Sequence, residues 1–455
     1  MKTRILLVFP PYMRETMSYY PPLGLGYIAS YILSKNPELQ IKILDFTIEK
    51  FSAEKWKKEI QEFNPEVVGI SVLTLNFLSG ALIAKFTKKL DSRILTVMGG
   101  VHATMMPEEC LKYSDIVVRG EGEITFWEIV QDKELEVIKG ISYSKHGKII
   151  HNKDRERIQN LDDLPFPAHH LFKVRNYKCF PSWGIMGSRG CPFNCIFCSS
   201  PKMWGRVIRF RSPKNIVDEI EYLHSKFGIQ NITFFDDALN ISPQRAFKIC
   251  DEIIKRGLHK RMSFTCQMRA NKQLVTLELL KKMKEANFIQ VEFGIESGSQ
   301  KVLNSIKKSL TLDEVRRAVA LARKAGISSV KGFYMIGNWD ETIWDVLRTW
   351  RFTLSVKAWP AFSISTPFPG TALYQMLSER GLVDKGLDWG KFNQATPIAR
   401  TNKMSKTRIS LLYALSIAFL ELPLAFSRGR NVKHIISRII DYASDKIRVK
   451  QERLC

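Results

Sequence analysis

What most constrains the fold of this 455-residue chain is an alternation of short apolar strand-like runs with amphipathic helical stretches, and it occurs twice. The first series holds "RILLVFPP" (Arg4 to Pro11), "IKILDF" (Ile41 to Phe46), "EVVGISVLT" (Glu66 to Thr74), "ILTVMGGVHAT" (Ile94 to Thr104) and "DIVVRGEGE" (Asp115 to Glu123). Helical stretches fall between them, such as "SAEKWKKEIQEF" with Ser52 as its N-cap. The second series holds "SWGIMGS", "NITFFDD", "MSFTCQMR", "FIQVEFGIES", "SSVKGFYMIG" and "FSISTPFPG", from Ser182 to Gly370. Its helices include Ser242 to Arg256 and Leu312 to Lys324. Such alternation predicts an α/β protein with parallel sheets covered by helices. Six β/α units in the second series suit a partial or full β/α barrel.

The connection between the two series contains an alternating "KGISYSKHGKIIHN", expected to be a β-hairpin turning at His146-Gly147. The proline-marked "DDLPFPAHH" follows as extended linker. The expected domains are 1–135, a linker with the hairpin over 136–178, a barrel over 179–398, and a basic, partly apolar helical region over 399–455.

In parallel sheets ligands bind beyond the C-terminal strand ends. In the first domain those ends carry Ser71, Thr74, Gly99, Gly100, His102 and Glu121. In the second, the segment after its first strand is "GSRGCPFNCIFCSS".

The charge is unusual: 69 Lys and Arg against 45 Asp and Glu give +24. Such a surplus suits nucleic acid, a membrane surface or an acidic substrate, or is a lysine-rich surface and nothing more. The tail sharpens the question. "ISLLYALSIAFLELPLAF" (Ile409 to Phe426) is mostly apolar but contains Glu421 and Pro423, and it falls short of the about 20 apolar residues of a bilayer span. Beyond it, Val432, Ile435, Ile436, Ile439, Ile440, Ala443 and Ile447 share one helical face. Residues 401–455 hold 11 Lys and Arg against 4 Asp and Glu. Two readings fit: reversible attachment to an anionic membrane, or helices packed on the barrel. The start of the chain reads as a strand without a signal-peptide cleavage site, and five of the eight cysteines are scattered. Both point to a reducing cytoplasm.

Cys191, Cys195 and Cys198 form C-x3-C-x2-C. Structural zinc takes four ligands, usually as two pairs, and no second pair is near. A C-x-x-C redox dithiol would leave the third cysteine unexplained. A [4Fe–4S] cluster ordinarily takes four thiolates. Three leave one iron open to a substrate or cofactor. Inert buried cysteines are the plain alternative.

"CPFNCIFC" resembles the signature of the radical S-adenosylmethionine (SAM) enzymes. The resemblance runs from about Lys2 to Tyr374. "PPLGLGYIASYI", "MGGVHATMMPEE" and "DIVVRGEGE" are similar to the cobalamin-binding domain that precedes many radical SAM barrels. "FFDDAL", "CQMRAN", "GIESGSQKVLNSIKK", "GFYMIGNWDET" and "TPFPGTALY" resemble successive strand-end motifs of that subfamily. The resemblance implies a Rossmann-like parallel sheet of the cobalamin-binding type, then a partial (β/α)6 radical SAM barrel and a C-terminal helical tail. It also implies a [4Fe–4S] cluster, SAM and cobalamin as cofactors, with a flavodoxin- or ferredoxin-type electron donor.

By the same resemblance Cys191, Cys195 and Cys198 are the cluster ligands and Phe197 sits by the adenine. Arg269 faces the SAM carboxylate, while Glu296 and Ser297 face its ribose or amine. Asp236 touches SAM or substrate, or caps a helix together with Asp237. Trp339-Asp340 stands where the family has Pro-Gly, which puts that loop's shape in question. The D-x-H-x-x-G cobalt-ligand signature is absent, as in many members. Ser71, Thr74, Gly99, Gly100 and His102 are the cobalamin-contact candidates, His102 reading better as a structural histidine than as a cobalt ligand.

The expected activity is reductive SAM cleavage to a 5′-deoxyadenosyl radical, serving cobalamin-dependent methylation of an unactivated carbon or phosphorus. The rival is a non-methylating cyclisation, oxidation or C–C bond formation on a lipid- or isoprenoid-like substrate. The basic amphipathic tail makes such a substrate attractive for either chemistry, as in the hopanoid and bacteriochlorophyll branches of the family that this chain resembles. An iron–sulfur nucleic-acid-binding protein is the alternative of a different class, and no aromatic–basic RNA-recognition motif supports it. The expected location is the cytoplasm, with peripheral contact at the inner membrane surface through the C-terminal region.

Overall fold

A computed structural model describes residues 1–12, 20–383, 388–427 and 435–436. It divides into two compact units: Met1–Pro192 with Ser199–Ile229, and Phe193–Cys198 with Gln230 onward.

The first unit is built on a seven-stranded sheet in the order β2-β1-β3-β4-β5-β6-β7. Strands β1 (Arg4–Phe9), β2 (Gln40–Asp45), β3 (Val67–Ser71), β4 (Leu95–Gly99) and β5 (Ile116–Val118) are parallel. Their continuous apolar runs explain this: Ile5, Leu6, Leu7 and Val8 are wholly buried, as strands covered on both faces require. Ser52 caps the helix Ala53–Phe63 by accepting the Lys55 N–H at 3.1 Å. The hairpin β6 (Ile141–Lys145) and β7 (Lys148–His151) turns at His146-Gly147 and pairs antiparallel with β5. It therefore extends the sheet where the sequence suggested part of a linker.

Several strands end earlier than the runs expected of them, β4 and β5 among them. The β4 run stops at Gly99, because Gly100 has φ +94° and the helix Val101–Met105 starts immediately. The β5 run stops at Val118, and Glu123 opens the helix Glu123–Val130. Also in this unit are β8 (Ser182–Ile185) and the short antiparallel pair β9 (Ser188–Arg189) and β10 (Arg209–Phe210).

The second unit carries five parallel strands in sequential order: β11 (Asn231–Phe234), β12 (Ser263–Met268), β13 (Phe288–Glu296), β14 (Ser329–Ile336) and β15 (Trp359–Ile364). Helices Pro243–Lys255, Leu277–Glu285, Leu312–Lys324 and Ile343–Val356 connect them. Phe234, Phe264 and Phe288 pack together in its core with centroids 5.3–6.5 Å apart. Strand β15 begins three residues before the expected Phe362. It includes Pro360, which an edge strand tolerates because no neighbour needs its missing N–H.

The apolar segment from Ile409 is helical from Lys406 to Ser427, with one wider turn at Ile417–Glu421. It packs on this unit. Ile409, Leu412, Tyr413 and Ile417 are buried, Trp350 Nε1 donates to Ser416 Oγ at 2.7 Å, and the Glu421 carboxylate accepts the Phe362 N–H of β15. Over Lys406–Ala425 the stretch is long and apolar enough to cross a membrane, with 44% of its most apolar window buried. The amphipathic face at 432–447 lies outside the described residues except for Ile435 and Ile436.

Candidate active site

In the first unit a cavity opens at the C-terminal ends of β1, β3, β4 and β5. Its walls are mostly apolar, from Leu25, Ile28, Phe126, Met186, Met203 and Trp204. Ser71, Gly99 and Gly100 line it, as expected of strand-end loops. A Cβ at Gly100 would meet the Val72 carbonyl oxygen at 2.8 Å, so the chain needs glycine there to turn. A Cβ at Gly24 or Gly120, both lining residues, would meet nothing within 4 Å. Side chains there would project into open room.

Thr74 and His102 do not line the cavity. Both are buried, and His102 Nδ1 lies 3.1 Å from Thr74 Oγ1. The imidazole leans on the Phe77 ring, centroids 4.3 Å apart. Burial pulls its pKa down to about 4. Burial thus favours the neutral imidazole, and the pair stands outside the residues that line the cavity. The sequence reading also missed the charged wall. Arg189 pairs with Glu121 at 2.8 Å and Glu123 at 2.6 Å, and Arg209 pairs with Glu121 at 2.9 Å. Burial alone would push Glu121 up, but the two guanidiniums outweigh it and hold the carboxyl below its usual range. Glu121 had a strand-end signal; the arginines had none.

The cysteine loop is shaped by its backbone. Gly190 has φ +103°, and a Cβ there would meet the Val207 carbonyl oxygen at 2.6 Å. The Cys191 N–H donates to the Gly205 carbonyl at 3.3 Å. Within the second unit the Cys198 N–H donates to the Cys195 carbonyl at 3.2 Å, and the Ile196 N–H to Ile306 at 3.1 Å. Cys195 is buried; Cys191 and Cys198 are partly exposed. Among the described residues no three His, Cys, Asp or Glu side chains converge as metal ligands. The fit to an iron–sulfur cluster therefore rests on donor chemistry: three thiols on one loop, with a fixed cation beside one of them.

That cation is Arg269, one residue beyond β12. Its guanidinium lies 3.7 Å from Cys195 Sγ and 3.5 Å from the centroid of Phe193. It also donates to Asn271 Oδ1 at 2.9 Å and to the Lys308 carbonyl. Glu296 ends β13 at φ +70°, after a register shift. Its carboxylate meets Lys308 Nζ at 2.6 Å, both groups being buried. Lys308 Nζ also lies 5.8 Å from the Phe197 ring centroid. Lys308 thus joins Phe197, Arg269 and Glu296 into one cluster, and the sequence reading did not single it out. Lys307 and Ser309 on either side are left-handed, φ +52° and +51°. Non-glycine residues hold such angles where the surroundings over-determine them. Gly294 makes room, since a Cβ there would sit 2.8 Å from both Glu296 Oε1 and Lys308 Nζ.

Two expected residues face inward. Ser297 Oγ lies 3.1 Å from Thr349 Oγ1 and accepts the Ser299 N–H at 3.1 Å. Asp236 is buried 3.8 Å from the Arg245 guanidinium. The Trp339-Asp340 loop is well held. Glu341 accepts the Gly337 and Asn338 N–H groups at 2.6 and 3.2 Å, Trp339 Nε1 donates to the Ser305 carbonyl at 3.2 Å, and Asp340 pairs with Lys301 at 3.2 Å.

Residues 185–349 match the model of the radical SAM superfamily, and residues 11–130 that of the B12 binding domain. An uncharacterized methyltransferase of Pyrococcus horikoshii is 35% identical over 423 residues, 90% of each chain. The chain belongs to the radical SAM enzymes with a B12-binding domain. Its cofactors are accordingly a [4Fe–4S] cluster, SAM and cobalamin, and the glycine-walled cavity and three-thiol loop suit them. The anaerobic magnesium-protoporphyrin IX monomethyl ester cyclase of Cereibacter sphaeroides is 28% identical, covering 89% of this chain and 68% of that protein. The fold is shared with the radical SAM methyltransferase TsrM of Kitasatospora setae, solved with cobalamin and a [4Fe–4S] cluster (TM-score 0.70, 18% identity, 89% of this chain and 83% of that one).

Proposed function

We propose that this enzyme methylates an unactivated carbon of a small, lipid-like molecule. The observation that carries the reading is the pairing, in one chain, of an apolar glycine-walled cavity with a three-thiol loop backed by Arg269, Lys308 and Glu296. When bound, the cluster and SAM supply a hydrogen-abstracting radical, and cobalamin a methyl carrier.

Cys191, Cys195 and Cys198 hold the cluster. Arg269, already committed to Asn271 and the Lys308 carbonyl, places its charge beside Cys195. That supports a role on the cluster side more than the expected pairing with the SAM carboxylate. Glu296, oriented by Lys308, offers an acceptor for the SAM ammonium or ribose hydroxyls. Phe197 offers a ring to the adenine. Ser297 and Asp236 act by shaping strand ends. Ser71, Gly99 and Gly100 receive cobalamin. The enzyme works in the cytoplasm with a flavodoxin- or ferredoxin-type reductant, and touches the membrane through its C-terminal region.

The test is anaerobic reconstitution with iron, sulfide, cobalamin, SAM and a reductant. Methyl transfer plus radical chemistry yields both S-adenosylhomocysteine and 5′-deoxyadenosine. No 5′-deoxyadenosine sinks the radical reading. 5′-Deoxyadenosine alone favours a cyclase-type reaction, as the similarity to the Cereibacter enzyme would suggest.

A further inference from the structure

The helix Ile343–Val356 and the C-terminal helix from Lys406 abut through the Trp350–Ser416 hydrogen bond. Each buries one side against its own unit, through Val346 and Phe352 on the first and Ile409, Leu412 and Ile417 on the second. Their outer sides are not polar. On the first helix Trp344 is 70% exposed and Leu354 64%, with Ile343 and Leu347 also exposed. On the second, Phe419 is 67% exposed and Leu411 48%. Single exposed apolar side chains are ordinary; six on two neighbouring helices mark an interaction surface.

Charge selects the occupant. The exposed charges on these helices are Arg351, Arg408 and Arg348, the last already paired with Asp345 at 3.0 Å. The acids on the two helices, Asp345 and Glu421, are both buried. A second copy of this chain would set the same arginines against one another. The tail over 428–455 carries eight Lys and Arg against three Asp and Glu, so it too would bring like charge. Apolar side chains whose exposed charged neighbours along the helices are cations, with the acids turned inward, match a bilayer rich in acidic lipid.

We propose that these two helices form the face that seats the enzyme on an anionic membrane surface. The inference rests on the membrane contact proposed above and names the surface that makes it. The C-terminal helix lies along the bilayer and does not cross it. Its inner side is packed on the sheet unit, and its Glu421 carboxylate is bonded to the β15 edge.

The experiment is flotation of the full-length protein with vesicles of phosphatidylcholine alone or mixed with phosphatidylglycerol, with 5′-deoxyadenosine formation measured in parallel. Wild type is expected to float with the mixed vesicles only. Trp344→Ser and Phe419→Ser each weaken that binding about tenfold, the loss of one large side chain's burial. Arg351→Glu with Arg408→Glu abolishes it. All four sites are exposed, so the variants should fold, and unchanged 5′-deoxyadenosine formation verifies that they do. Several outcomes overturn the assignment. Equal binding to phosphatidylcholine alone removes the anionic selection. Binding kept in the face variants but lost in Ile436→Ser/Ile440→Ser assigns the contact to the tail, and the membrane reading survives. A dimer that Phe419→Ser converts to monomer, with flotation unchanged, assigns the face to self-association. No flotation of wild type removes membrane contact altogether, while parallel 5′-deoxyadenosine formation leaves the radical chemistry standing.

Discussion

The two units prepare for their ligands in opposite ways. The first clears space: glycines and apolar side chains leave a cavity at the strand ends, and its charges pair with one another in the wall. The second fills space: Arg269, Lys308, Glu296 and Phe193 crowd the cysteine loop in fixed contacts. The first arrangement suits a large ligand held by shape. The second suits a compact charged group that must be met by preset counter-charges. Damage to the first should therefore come from adding atoms, and damage to the second from removing them.

The sharpest break is at the thiols. Cys195→Ala, like Cys191→Ala or Cys198→Ala, should leave reconstituted protein without its cluster iron and without detectable 5′-deoxyadenosine, by iron analysis and chromatography. Next is Lys308→Met. It strands Glu296 as a buried unpaired charge, and breaking a buried pair costs about 3–5 kcal/mol. Denaturant unfolding should show that loss, SAM affinity should fall, and Lys308→Arg should restore part of both. If K308M binds SAM as wild type does, the cluster is not preorganised as described.

The converse test in the first unit is smaller. Gly24→Phe adds a ring on a Cβ that nothing approaches within 4 Å, at a residue that lines the cavity. Bound cobalamin, read from its visible spectrum, should drop roughly tenfold, since an overfilled site does not repack freely. Iron content should be unchanged, and Tm should move by no more than about 2 °C. Loss of iron together with cobalamin would erase the contrast between the two units.

The remaining effect concerns pH. Burial raises Glu341 from an ordinary 4.5 to about 8. The folded state holds this proton more tightly than the unfolded chain. Its contribution to stability is therefore complete below pH 4.5 and is lost as pH rises through 8. Glu341→Gln should flatten the fall of Tm across that window, and a parallel fall in both proteins would refute the assignment.

What was legible in the sequence follows the same division. Strand alternation declared both sheets, because a strand covered on both faces needs an uninterrupted apolar run. The cysteine spacing set this loop apart, because three thiols at that spacing have few other uses. Strand ends were read too long at β4 and β5, where Gly100 and Glu123 start helices that apolar pattern does not announce. Lys308 was illegible, because its role depends on two left-handed neighbours and on the room beside Gly294, and neither leaves a periodic trace. His102 looked like a contact residue by its place after β4, yet burial and its bond to Thr74 turn it inward. Trp339-Asp340 departs from the family pattern, and the structure holds the two residues by bonds to Ser305 and Lys301.

The Glu421 carboxylate on the Phe362 N–H has a consequence for how the protein survives at high concentration. An exposed edge strand invites strands from other molecules. Here a side chain from the C-terminal helix occupies a donor on that edge, and Pro360 removes another. The helix is thus a stopper as well as a covering, and a chain that lost it would offer β15 to its neighbours as the start of an aggregate.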